Sequence, residues 1–218
     1  MSIEQSLPMY YALSSNTDTT FADILSLLDH GFEQAQATLS TLLPYHFQCH
    51  AQNLELMPRH EVYQHLLDPQ CAAVIQTFEG DYQGALSLVL VKTLGSQMLT
   101  HYRCNEGSDA DLINEMGNIL LNSVLRSFFV LMDLGFRSSL PQQPSKNGLA
   151  HYFAEAGLYP GEALVIQVDF RCQHKETLET ITSQLSVNLH MKNNALINSW
   201  FARLTEALNH GQNQKVLP

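Results

Sequence analysis

Two stretches of the chain carry the apolar spacing of a long amphipathic helix: residues 20 to 43, TFADILSLLDHGFEQAQATLSTLL, and residues 108 to 135, SDADLINEMGNILLNSVLRSFFVLMDLG. Each opens with a hydroxyl three residues ahead of an acid, Thr20 before Asp23 and Ser108 before Asp111, which is the spacing of a capping box. Aligning the two aspartates sets an offset of 88 residues. Strand-like runs follow the first helix: YHFQCHAQNLEL, CAAVIQTFEG and ALSLVLVKTLG. A later pair, EALVIQVDFRCQ and TITSQLSVNLHM, repeats the plan. NALINSWFARLTEAL reads as a closing helix. Neither half has the apolar surface to stand by itself, so the repeat predicts one α+β domain of residues 21–209. In it two pseudo-repeats, about 21–105 and 108–209, share one largely antiparallel sheet, with the two long helices packed side by side on it. Residues 1–20 and 210–218 are polar and read as a flexible N-terminal segment and a tail.

The second long helix has a narrow polar edge. At 100° per residue, Asp111, Glu115, Asn118, Asn122 and Arg126 fall within an arc of about 80°. Around the rest of the circumference stand Leu112, Ile113, Met116, Gly117, Ile119, Leu120, Leu121, Val124 and Phe128. A helix this apolar is buried on most sides. Gly117 weakens a helix by about 1 kcal/mol relative to Ala, so its place in the interior points to a close approach by a neighbouring element, for which the first helix is the expected partner. A solvated face of Glu, Asn and Arg is the plain explanation of such an edge. The repeat adds a comparison. At the 88-residue offset Asp111 keeps its counterpart, Asp23, while Glu115, Asn118 and Asn122 face Leu27, His30 and Gln34. The shared aspartate reads as scaffold. Glu115 and Asn118, present in one half, read as the functional pair.

Composition narrows the partners. The 218 residues carry 11 Lys and Arg against 21 Asp and Glu, a net charge of −10, which opposes affinity for nucleic acid or an anionic membrane. The start, MSIEQSLPMYY, lacks the basic and apolar stretches of a signal peptide, and no apolar run approaches the roughly 20 residues that span a bilayer. A cytoplasmic protein is expected. Cys49, Cys71, Cys104 and Cys172 form no CxxC and read as buried thiols. A zinc site from His46, Cys49 and His50 with Cys172 and His174 would need two distant segments to meet; strand residues are the simpler reading, and no metal is expected.

The spacing of Asp111, Glu115, Asn118 and Pro141, with EMGNIL at its centre and LPQQPS after it, resembles the motif of the CheC, CheX and FliY family of chemotaxis phosphatases. That motif is Asp or Ser, three residues, Glu, two residues, Asn, twenty-two residues, Pro. Four positions at fixed distances inside the matching repeat are a fairly specific signal. The resemblance implies a pseudo-twofold CheC-like fold and removal of phosphate from a CheY-like receiver. It implies further that Asn118 holds the attacking water while Glu115 docks against the receiver. Asp111, Gly117 and Pro141 would be structural, and Asn122 and Arg126 would extend the partner-binding edge. A carboxamide does not titrate usefully, but it can orient a water. The receiver would bring its own Mg²⁺, so no cofactor is expected here.

Two features depart from the family. In the first half Leu27 and His30 stand where a second Glu and Asn would be, so that half is expected to be inactive as a phosphatase. At this length the chain is not expected to hold the additional switch-binding domain of FliY-type proteins. The alternative is a non-catalytic adaptor on the same fold that binds a receiver or a CheD-type partner.

Overall fold

The computed structural model describes residues 17–101, 108–145, 148–149, 161–191 and 194–214. Two long helices, α1 (Thr17–Leu42) and α4 (Asp109–Leu131), each begin one half of the chain. After α1 come β1 (Tyr45–Pro58), α2 (Arg59–Leu67), β2 (Cys71–Gly80), β3 (Gly84–Val91) and α3 (Thr93–His101). After α4 come β4 (Phe136–Ser138), β5 (Glu162–His174), β6 (Thr180–Met191) and α5 (Asn194–Gln214). The six strands form one antiparallel sheet in the order β1-β5-β6-β3-β2-β4. Exchanging β1 with β4, β2 with β5 and β3 with β6 returns the same order reversed. The repeat inferred from the sequence is therefore built into the topology, with its twofold between β3 and β6.

One face of the sheet carries the long helices. Leu28 and Phe32 of α1, Leu120 and Val124 of α4, and Trp200 of α5 close over Leu86, Ile166 and Val187. The Phe128 and Trp200 rings meet edge to face at 4.6 Å. The other face is partly covered by α2, whose Val62 and Leu66 pack on Ile75, Val89 and Val165. Burial from both sides explains why β3 reads GALSLVLV, a nearly continuous apolar run rather than an alternating one. Arg59, at the start of α2, is 1% exposed. Its guanidinium donates to the carbonyls of Glu162 (2.8 Å) and Met191, tying the beginning of β5 to the end of β6.

Several boundaries differ from the sequence reading. α1 begins at Thr17, so Thr20 lies inside the helix and the Thr20/Asp23 capping box does not open it. α4 ends at Leu131, not at Gly135. Asp133 adopts φ 52°, its N–H donates to Val130 O, and Leu134 N–H reaches back to Phe129 O. This is a Schellman ending in which an aspartate fills the place usually held by glycine. Lys92 to Gly95, expected at the end of a strand, turn into α3. The short helices α2 and α3 and the three-residue β4 were not anticipated. α5 continues to Gln214, beyond residue 209, where the domain was expected to end.

Candidate functional site

The site is built on α4. Ser108 caps it: the Ser108 hydroxyl accepts from Asp111 N–H at 3.2 Å, and the Asp111 carboxylate accepts from Ser108 N–H at 3.0 Å and from its hydroxyl at 2.7 Å. These bonds favour the ionised carboxyl and hold Asp111 below the ordinary carboxylate range. Asp111 is thus occupied with the helix start. Leu112, Ile113, Met116, Leu120, Leu121, Val124 and Phe128 are buried. Glu115 and Arg126 are exposed, and Asn118 and Asn122 are half-buried. The calculated arc is therefore an open edge of an otherwise enclosed helix.

Gly117 makes a close approach, but not to α1. A Cβ at this position would stand 2.6 Å from Val74 Cγ1 and 2.9 Å from both Val74 Cβ and Cγ2, on β2. The glycine lets α4 lie on the sheet. The contact with α1 is made by Gly31, where a Cβ would meet Ser127 Oγ at 2.0 Å and where the Ser123 hydroxyl donates to the Gly31 carbonyl.

Seating α4 this low brings its polar edge onto a buried amide. Gln76 of β2 is 1% exposed. Its Nε2 donates to Ser139 O and to Asn122 Oδ1, each at 3.0 Å. Asn122 Nδ2 in turn donates to Asn118 O at 2.8 Å and to Asn118 Oδ1 at 2.7 Å. Asn118 is therefore held at the end of a chain of three carboxamides that begins inside the protein. Gln76 did not figure in the sequence reading. Its signal was a glutamine sharing strand parity with Val74 and Phe78 in CAAVIQTFEG, a polar residue where the helix-facing side should be apolar.

Pro141 belongs to the segment that supplies Ser139. β4 pairs with β2 through Phe78 and Ser138, and Ser139 N–H donates to Thr77 O at 3.0 Å. Pairing resumes as an isolated bridge between Ile75 and Gln142. The intervening bulge holds Leu140, 80% exposed, and Pro141, which has no N–H to leave unpaired on this outer edge. Gln143 Nε2 then donates to Ala110 O at 2.8 Å. The segment thus flanks α4 from Asn122 back to its first turn.

The first-half positions form no comparable arrangement. His30 is exposed, with Nδ1 3.3 Å from Glu33 Oε2, and Gln34 is exposed on α1. β5, the counterpart of β2 in the strand order, turns Leu164, Ile166, Val168, Phe170 and Cys172 into the helix-side core. No amide stands there to hold another.

Strand geometry separates the residues considered for zinc. β1 and β5 do pair, with Phe47 opposite Cys172 and Tyr45 opposite His174. Alternation buries Cys49 and leaves His46 and His50 exposed on the other side. Burial pushes the Cys49 and Cys172 thiols up to about 12, so they stay protonated and are poor metal ligands. Among the described residues no group of three or more His, Cys, Asp or Glu could hold a metal ion. Cys104 lies outside the described residues. No described helix is long and apolar enough to cross a membrane. A hollow of about 240 Å³ lined by Glu55, Met57, His65, Gln167 and Asn188 lies away from the α4 edge and shares no residue with it.

A two-half α+β domain built on one six-stranded antiparallel sheet is a recognisable structural class. No protein-family model matches the chain, and no curated protein matches it in sequence. Solved structures do match in fold. FliY from Thermotoga maritima superposes with a TM-score of 0.60 at 14% identity, covering 87% of this chain and 97% of that one. The FliM middle domain from Vibro alginolyticus gives 0.55 at 11% identity, over 81% and 99%. A chain of the FliG–FliM complex from H. pylori gives 0.55 at 9% identity, over 79% and 92%. The chain has the fold shared by FliY and the FliM middle domain, as the resemblance implied.

Proposed function

We propose that this chain is a protein-aspartyl-phosphate phosphatase acting on a CheY-like receiver in chemotaxis or related two-component signalling. The observation that carries this reading is the presentation of Glu115 and Asn118 together on the open edge of α4, with the Asn118 amide fixed from beneath. Phosphoryl transfer asks mainly for positioning and charge stabilisation. A receiver's aspartyl phosphate comes with its own Mg²⁺, so the protein has to add an oriented water and a docking contact. Asn118 Oδ1 accepts one bond from Asn122 and keeps a second lone pair for a water proton. Glu115, one helical turn towards the N-terminus, pairs with a receiver cation, and Arg126 lies on the same edge. The setting would be the cytoplasm, with a CheD-type regulator as a further candidate partner.

The test is the rate of phosphate loss from a phosphorylated CheY-like receiver with Mg²⁺, with and without this protein. Asn118→Ala should lower the accelerated rate on the order of 10²-fold, about 2.7 kcal/mol of barrier, while receiver binding persists. A second reading, an adaptor that binds without hydrolysis, draws on the fold shared with FliM middle domains. Binding of the host's receivers with no acceleration of phosphate loss would establish the adaptor instead.

A further inference from the structure

We infer that Gln76 and Asn122 are positioning residues that set the polarity of the Asn118 amide, so that Asn118 presents its N–H₂ group, rather than its carbonyl oxygen, outward. This rests on the phosphatase reading for its catalytic consequence, but the orientation itself follows from the hydrogen bonds. A backbone carbonyl can only accept. Ser139 O faces the Gln76 amide at 3.0 Å, so the group facing it is Nε2. The second Nε2 hydrogen then requires an acceptor, which makes the neighbouring Asn122 atom Oδ1. Asn122 Nδ2 is left facing Asn118, where a second backbone carbonyl, Asn118 O at 2.8 Å, again demands a donor. Asn118 must answer with Oδ1, at 2.7 Å, and its Nδ2 points away from the protein. Two backbone carbonyls thus fix three side-chain amides.

Three consequences follow. Head-to-tail amides polarise one another, so the outward Nδ2–H is a stronger donor than that of an isolated asparagine. In a receiver complex it would hold the water oxygen or a phosphoryl oxygen, leaving the second Oδ1 lone pair to accept a water proton. The relay also leaves Gln76 Oε1 buried without a partner, an expensive arrangement for a residue that only fills space. An apolar side chain of the same length would avoid that penalty, so the amide is explained by what it orients.

The first experiment is side-chain amide exchange in ¹H–¹⁵N spectra of the free protein. The Gln76 and Asn122 N–H₂ protons should exchange markedly more slowly than those of Asn118. Protected Asn118 protons with freely exchanging Asn122 protons would overturn the orientation. The second is steady-state hydrolysis by Asn122→Asp and Gln76→Met. In Asn122→Asp the new carboxylate can still accept from Gln76, but it has no hydrogen for Asn118 O or Oδ1, so the Asn118 amide loses the donor that holds it. Gln76→Met removes the source of the chain at nearly constant shape. Both should lower kcat about 10–100-fold, the range for outer partners that orient a reacting group, and Gln76→Met, buried beneath the edge, should do so with KM unchanged. Wild-type kcat in both variants, beside an inactive Asn118→Ala, would sink the relay and leave the phosphatase standing. A wild-type protein that accelerates nothing would refute the phosphatase, and the exchange measurement would still decide the orientation.

Discussion

Replacing Gly117 with alanine puts the seating of α4 to a quantitative test. In an ordinary helix interior Gly→Ala stabilises by about 1 kcal/mol. Here the added methyl would lie 2.6–2.9 Å from three atoms of Val74, one of them the Cβ that is fixed to the β2 backbone. Val74 is fully buried, and its branched side chain has little rotamer freedom with which to withdraw. β2 itself is bonded to β3 on one side and β4 on the other, so α4 must lift instead. Overpacking of this kind costs about 1–3 kcal/mol. Three contacts below 3.0 Å place it near the upper end, and subtracting the propensity gain leaves a net loss of about 2 kcal/mol. Val74→Ala alone should lose roughly 2 kcal/mol with its two methyls. In the double variant, one of the three close contacts remains while the other two disappear, so the losses should fall short of additivity by about 1 kcal/mol or more. Urea unfolding of the four proteins at constant m measures this cycle. A Gly117→Ala protein as stable as the parent, or strictly additive losses, would refute the account. Lifting α4 would also stretch the 3.0 Å contact between Gln76 and Asn122, so the proposed phosphatase activity should fall alongside stability.

Three further outcomes are expected. Ser108→Ala removes the hydroxyl from both sides of the α4 cap and should destabilise by about 1 kcal/mol, read as a lower Tm. Burial, with the Arg59 charge nearby, lowers the His190 pKa to about 3, so the folded protein keeps it neutral while the unfolded chain takes up a proton near 6.5. Its contribution to stability is whole above pH 6.5 and is lost as pH falls towards 3, at up to about 1.4 kcal/mol per pH unit; urea titrations of His190→Gln should show that slope removed. His30→Ala should leave receiver dephosphorylation unchanged; a fall of about 10²-fold or more, of the kind expected for a general acid or base, would give the first half a catalytic part.

The fold was legible because its strongest signals are periodic. β2 and β6 have the limits read from the sequence, since apolar runs bounded by turn residues leave little choice of register. The α4 edge was legible for the same reason: a 3.6-residue period separates Glu115, Asn118, Asn122 and Arg126 from ten buried neighbours. Helix ends were less legible. Asp133 ends α4 by adopting a positive φ that its backbone hydrogen bonds enforce, and nothing in MDLG distinguishes it from the glycine two residues later. The partner of Gly117 was equally hidden. A glycine announces a close approach without saying to what, and here the neighbour is a strand 43 positions away in the sequence.

The confinement of the polar edge to one half follows from the unequal ends of the sheet. Its two edge strands correspond under the pseudo-twofold, yet β1 runs for 14 residues and β4 for three. Along β1 the pairing with β5 continues from Tyr45 to Pro58 with a single irregularity between Ala51 and Asn53. Beside β4 the chain bulges at Leu140 and Pro141 before returning to Ile75, and that departure leaves the Ser139 carbonyl beside Gln76. A buried glutamine is tolerable on β2 because this carbonyl and Asn122 take both of its donors. On the helix side of β5, where apolar residues meet a well-paired strand, the same substitution would bury an amide with nothing to satisfy it, at about 1–3 kcal/mol. A short, interrupted edge strand is thus the structural condition for a supported asparagine on α4, and the long edge strand of the first half supplies no counterpart for α1.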